Sequence, residues 1–184
     1  MQKIALHFVR TINHLNDWVG RQVSWLTLAL VLLVCWDVAM RYLFQQTSVW
    51  FMELEWHLYA ALFLLGAGYT LMRDRHVRVD LFYSEFSSKD KALVNFLGAI
   101  IFLIPWSLLL LIVSYQYAWV SWLIKEGSPD PGGLPGRYVI KFCITLGAFL
   151  LFLQALAEAV KHGLLWRGNL SPEAEAEFAN PTKH

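Results

Sequence analysis

Residues 92–124 read ALVNFLGAIIFLIPWSLLLLIVSYQYAWVSWLI, 33 residues between Lys91 and Lys125 without one Asp, Glu, Lys or Arg. A helix on the surface of a small soluble domain turns polar side chains to water every few residues. A run this long and this apolar belongs to a helix whose solvent is lipid. Three further charge-poor runs accompany it: Gln22 to Trp36, Trp56 to Met72 and Phe142 to Ala157, all rich in Leu, Val, Phe and Ala. Backbone polar groups in hydrocarbon must be satisfied within their own segment, and the ten-residue alternation of membrane β-strands is absent, so the runs read as helices. The fold class expected is an all-α integral membrane protein with four transmembrane helices, over about residues 20–43, 50–72, 90–123 and 137–162.

The chain has 184 residues, 57% of them hydrophobic and only 16% charged, with a formal net charge of +1. That balance excludes nucleic acid as a partner and leaves too little polar sequence for a second packed domain. A single membrane domain over 1–168 is expected, followed by a polar tail over 169–184 whose Pro, Ala, Glu and Asn bias predicts poor order. The N-terminus lacks the compact apolar core and small-residue cleavage site of a signal peptide, so the first span is expected to remain in the mature protein.

Cationic residues set the expected orientation. Lys3, Arg10 and Arg21 precede the first span; Arg73, Arg75, Arg78, Lys89 and Lys91 lie between the second and third; Lys161, Arg167 and Lys183 follow the fourth. Arg41, Lys125, Arg137 and Lys141 occupy the other two connections. Eleven against four places both termini in the cytoplasm. Before the first span, Ile4, Phe8, Ile12, Leu15 and Val19 recur at helical intervals among Lys3, Arg10, Asn13, Asn16 and Asp17. This is an N-terminal amphipathic helix, lying at the interface or extending span one.

At about 1.5 Å per residue, the third run makes roughly 50 Å of helix against about 30 Å of hydrocarbon. Tilt, a kink near Pro105, or a C-terminal portion in the headgroup region would absorb the excess. Ser87 followed by Asp90 reads as a capping box that starts this helix. Gly127 to Gly136, GSPDPGGLPG, is incompatible with helix and reads as an external loop.

Ionisable residues near span ends form a short list: Asp37, Arg41, Glu53, Glu55, His57 and, in span four, Glu158. Asp37 and Arg41 are four apart, as are Glu53 and His57, and the short link from Tyr42 to Val49 draws the two pairs together into a polar cluster at the external boundary. Its structural role is to neutralise charge and fix the hairpin of spans one and two; its functional alternative is contact with a partner or a passing solute. Gly66, Gly68 and Gly147 remove bulk where helices approach closely. Tryptophans gather towards span ends as an interfacial belt, with Trp36 and Trp106 deeper. No metal or cofactor is expected, since His57 is the one histidine inside a span and Cys35 and Cys143 form no CxxC pair. No catalytic triad, phosphate loop or dinucleotide fingerprint appears, so the chain does not read as an enzyme.

Four segments go beyond hydropathy: Arg41-Tyr-Leu-Phe44; Trp50 with Glu53 and Glu55; Leu65-Gly-Ala-Gly-Tyr-Thr-Leu71; and His76-Val-Arg-Val-Asp80. With the Pro-Gly loop and Leu153-Gln-Ala-Leu156, they resemble the small permease subunit, DctQ type, of tripartite ATP-independent periplasmic (TRAP) transporters, over roughly residues 20 to 165. In the commoner family pattern Trp is followed by adjacent acidic residues. Here Leu54 separates Glu53 from Glu55, a form that resembles the branch for mannitol, chloroaromatic or 2-oxo acid uptake.

The resemblance implies a bacterial inner-membrane subunit of a sodium-driven importer. Its partners would be a large elevator-type permease subunit (DctM type), which holds substrate and sodium, a periplasmic solute-binding protein, and membrane lipids at the subunit interface. The small subunit would be a scaffold. In that setting Thr47, Ser48 and Trp50, with Pro129, Asp130 and Pro131 of the loop, are candidate contacts for the binding protein. Two other classes remain as alternatives: a four-helix membrane redox protein with haem or quinone, which needs ligands this chain does not place at depth, and a small self-assembling channel or carrier, which needs a carboxylate at mid-span.

Overall fold

The structure is a computed structural model that describes residues 2–73 and 86–168. The expected polar tail, Arg75, Arg78 and the His76 to Asp80 segment lie outside the described residues. Within them the chain forms four long helices and no strand: α1 Gln2–Leu43, α2 Val49–Met72, α3 Ser88–Leu123 and α4 Tyr138–Arg167. By length and composition, α1, α3 and α4 are each able to cross a membrane. The fourth helix, α2, has 24 residues. It is less apolar because Glu53, Glu55 and His57 open it and Gly66, Gly68, Tyr69 and Thr70 dilute its second half.

The amphipathic N-terminal segment is no separate helix but the first half of α1, which runs unbroken for 42 residues. Nothing between Val19 and Gln22 stops it. Gly20 is an interior helix position pressed against the Tyr69 ring of α2, where a Cβ would clash with the ring. Of the apolar face expected to meet lipid or a partner, Ile12 is buried, Phe8, Leu15 and Val19 are partly so and Ile4 is exposed, while Val9 and Val23 beside it are buried in the bundle.

The capping box at the start of α3 is present: the Ser87 hydroxyl accepts the Asp90 N–H at 3.2 Å and donates to the Asp90 carboxylate at 2.6 Å. Further along, Pro105 has no N–H for the carbonyl one turn back. The helix widens into a π-turn at Ala99–Leu103, with Ile104 N–H reaching back five residues to the Ala99 carbonyl.

Helix α4 is the hub, packing against α1, α2 and both halves of α3, while α1 also lies along α2. The seams are built from small residues, which let backbones approach in the absence of a hydrophobic drive between helices in lipid. On α3, Ser107, Ser114, Ala118 and Ser121 share one buried face, spaced by seven, four and three residues. Ser107 and Ser114 satisfy their hydroxyls on the Leu103 and Leu111 carbonyls of their own helix. On α4, Gly147 sits so close to α2 that a Cβ would lie 2.5 Å from the Leu64 carbonyl oxygen.

Candidate functional site

Two polar clusters hold opposite ends of the bundle. At the end that carries the N-terminus, Asn16, 1% exposed, donates to Gln154 Oε1 of α4 at 2.9 Å. Gln154 in turn donates to Asn13 at 2.9 Å and to Glu158 at 3.1 Å. Glu158 then takes Lys161 at 2.7 Å and His162 at 3.2 Å. Nearby, Asp17 bridges Arg21 of its own helix and Arg73 at the end of α2, each at 2.6 Å. A buried amide is costly unless bonded, so this chain of bonds fixes α1 against α4 in one register.

At the other end, Glu53 faces the Gly127 to Gly136 loop. Its carboxylate accepts from the Ser128 hydroxyl and, at 2.5 Å, from the Leu134 N–H. A Cβ added at Gly133 would lie 2.7 Å from the same carboxylate, so there is no room for a side chain there. The loop is also bonded internally, Ser128 N–H to Leu134 carbonyl at 3.1 Å and Arg137 N–H to Glu126 carbonyl at 2.8 Å, with Gly132 and Gly136 at positive φ. At its base Lys141 donates to Glu126, a hydrogen bond that holds the Glu126 carboxyl below its usual range. Lys125 lies over the Trp122 ring at 3.1 Å and Lys141 over Tyr117 at 3.8 Å.

The polar residues expected in one cluster separate into two. Glu53 and Glu55 lie about 200° apart around a helix, so they face opposite sides of α2. Glu53 goes to the loop. Its expected partner His57 bonds the Glu53 backbone instead, Nδ1 donating to the carbonyl at 2.6 Å. Glu55 goes to α1, within electrostatic reach of Asp37 and Arg41, which form an ion pair of 2.5 Å with Asp37 buried and Arg41 half-exposed.

Of the candidate contacts for a binding protein, Thr47, Trp50, Pro129, Asp130 and Pro131 are exposed and Ser48 partly so. The Pro-Gly loop is bonded to Glu53, which lies in the first turns of α2 just after the Thr47 to Trp50 link. Among the glycines, Gly68 abuts the Asn16 amide and the Leu150 carbonyl, Gly147 abuts Leu64, and Gly66 faces open space.

Sequence reasoning had not singled out Asn13, Asn16 and Gln154 as a unit, nor the serine face of α3. A signal was present: Asn16 continues the row of Val9, Ile12 and Val23, and Gln154 lies inside an otherwise apolar run. What the sequence did not show was that the two rows meet.

Between these ends the outer faces of α1 and α3 are largely apolar. Trp25, Leu32 and Trp36 on α1 and Phe102, Trp106, Val113 and Val120 on α3 are all more than half exposed. Among the described residues, no three His, Cys, Asp or Glu side chains come together as a metal site requires. The polar side chains are mostly occupied with one another. This is a helical membrane protein with inward polarity and an outer surface suited to lipid and apolar partners.

The chain belongs to the DctQ component family of tripartite ATP-independent periplasmic transporters, whose family model matches residues 30–163. Among curated proteins it is similar to the C4-dicarboxylate TRAP transporter small permease protein DctQ of Vibrio cholerae serotype O1. The two are 25% identical over 148 residues, 74% of this chain and 63% of the relative. The chain thus spans a little under two thirds of that relative's length.

Proposed function

We propose that this chain is the scaffolding subunit of a sodium-driven organic-acid importer. It would brace a large elevator-type permease in the bacterial inner membrane while a periplasmic binding protein delivers the solute. The carrying observation is the placement of polarity: among the described residues the buried cations Lys141 and Lys161 are each paired with a carboxylate of this chain, whereas broad apolar faces of α1 and α3 stand open. A carrier of anions needs polar ligands or helix ends at mid-membrane. A brace needs fixed geometry and apolar area.

The same reading takes α2 as the fourth span, closing one membrane domain, since its neighbours α1 and α4 flank it along its length. It places both termini in the cytoplasm. The Glu53-anchored loop and the Thr47 to Trp50 link then form one external platform for the binding protein. The curated relative is named for C4-dicarboxylates, and a small organic acid is the substrate class proposed here.

Reconstitution tests this. Proteoliposomes with this chain alone should show no uptake of a dicarboxylate or 2-oxo acid under a sodium gradient. Adding the large subunit and the binding protein should give uptake, and omitting this chain should abolish or cripple it. Uptake by this chain alone would overturn the proposal, as would undiminished uptake without it.

A further inference from the structure

The seam between α3 and α4 is left unfilled at one end. The two helices run antiparallel, with Trp122 against Tyr138 at one end and Phe96 stacked on Trp166 at the other. Beside the second pair lies a groove of about 250 Å³, walled by Phe96, Ala159, Val160, Gly163, Leu164 and Trp166 and reaching Arg167. Gly163 lets the Phe96 ring come close, since a Cβ there would lie 3.0 Å from the ring.

Val160, Leu164 and Arg167 are spaced by four and three residues and so share one face of α4. Because Arg167 is the last residue of that helix, the groove is apolar along the span and cationic at its mouth. A guanidinium keeps its charge throughout the range in which proteins stay folded. Arg167 is exposed, and among the described residues no carboxylate pairs with it: Glu158, the one acid of α4, is taken by Lys161 and His162. Lys89, exposed in the first turn of α3, adds a second cation at that end, while Asp90 beside it is bonded to Ser87.

We infer that this groove binds an anionic phospholipid, one acyl chain lying along Val160 and Leu164 between α3 and α4 and the phosphate taken by Arg167. The site needs only the membrane and is independent of the scaffold reading. The order of its parts selects the occupant. Arg167 stands at the end of a spanning helix, next to Trp166, where headgroups and aromatic belts lie, and the apolar wall runs inward from it. A phosphate accepts two parallel N–H bonds from a guanidinium, and Lys89 adds attraction for a headgroup of net negative charge. A second copy of this chain, meeting it through the same face, would set Arg167 against Arg167. A free phosphate would have the cation but no use for the apolar wall.

The test titrates the full chain in a mild detergent with phosphatidylglycerol and counts bound lipid by native mass spectrometry. Arg167→Gln should weaken binding about tenfold, the loss of a charge-assisted hydrogen bond, and Arg167→Lys less. Leu164→Trp, which fills the groove with Arg167 intact, should weaken it as well. Phosphatidylcholine with the same acyl chains should bind wild type several-fold more weakly, and glycerol phosphate, the head without the chains, should not bind at those concentrations. Arg167→Gln should melt with wild type in lipid-free detergent, since Arg167 is exposed, so it decides the matter even where Leu164→Trp does not fold. In cell membranes, a photo-crosslinker at Leu164 should capture phospholipid. Wild-type affinity for phosphatidylglycerol in Arg167→Gln, or a crosslink confined to protein, whether another part of this chain, a second copy or a different subunit, would overturn the inference.

Discussion

The crossing of α2 and α4 provides a quantitative test of the fold. A methyl at Gly147 would sit 2.5 Å from the Leu64 carbonyl oxygen and 2.9 Å from its carbon, about 0.9 Å inside ordinary contact. The obstruction is backbone, which cannot rotate away as a side-chain tip would, so Gly147→Ala must push the two helices apart. Overpacking of this kind costs about 1–3 kcal/mol. Gly66, two residues from Leu64 on the same helix, is the control: a Cβ there meets nothing within 4 Å, and alanine is the better helix former by about 1 kcal/mol. Thermal unfolding in one detergent, followed by circular dichroism, should put Gly147→Ala roughly 2–10 °C below wild type and Gly66→Ala at or above it. Equal melting of the two variants, or the reverse order, would refute the close approach of α2 and α4.

Three other outcomes follow from the polar clusters. Glu53→Ala removes the acceptor for Ser128 and the Leu134 N–H, so limited proteolysis should cut the 127–136 loop several-fold faster in intact protein; an unchanged rate would mean the loop holds itself. Gln154→Leu leaves Asn13, Asn16 and Glu158 without their shared partner and should lower stability by about 1–3 kcal/mol, whereas Cys35→Ser at an exposed position should be near neutral. Glu126 titrates below its usual value of 4.5 because of its bond from Lys141. A carboxyl lowered on folding contributes stability that is complete above the unfolded value and fades as pH falls through the folded one. Acid below about pH 4.5 should therefore loosen the loop base in wild type more than in Glu126→Gln, as read by tryptophan fluorescence; parallel acid profiles would count against the pair.

Much of the architecture is legible in the chain because lipid imposes a coarse rule. Uncharged runs of span length must be helical, and Ser87 with Asp90 marks a helix start whatever surrounds it. Pairing is harder to read. Glu53, Glu55 and His57 look like one cluster in a linear view, yet helical geometry sends the two acids to opposite faces, one to a loop 75 residues further along the chain and one to α1. The N-terminal wheel suggests a helix seeking an interface, yet of that face only Ile12 is buried in the bundle and Ile4 stays exposed. Gly66 and Gly68 read alike, but only the neighbour across the seam distinguishes the residue that permits contact from the one that faces open space.

The distribution of contacts also bears on how such a subunit can act as a brace. Rigid geometry is concentrated where α2 and α4 cross and where Asn16 and Gln154 lock α1, and these seams use small residues and amides that leave little latitude for sliding. The middle of α1 and the outer side of α3 are free of such locks and present large side chains instead, among them Trp25, Trp36, Phe102 and Trp106. Tryptophan and phenylalanine on an unshared face contribute little to the isolated fold, but they supply area and depth anchoring once a neighbour or lipid covers them. Under the proposed function, a subunit whose inner seam is fixed while its flanks wait for cover would resist motion transmitted from a partner without needing to move itself. On the scaffold reading proposed above, that division of labour accounts for the buried polar structure at the two ends of the described bundle.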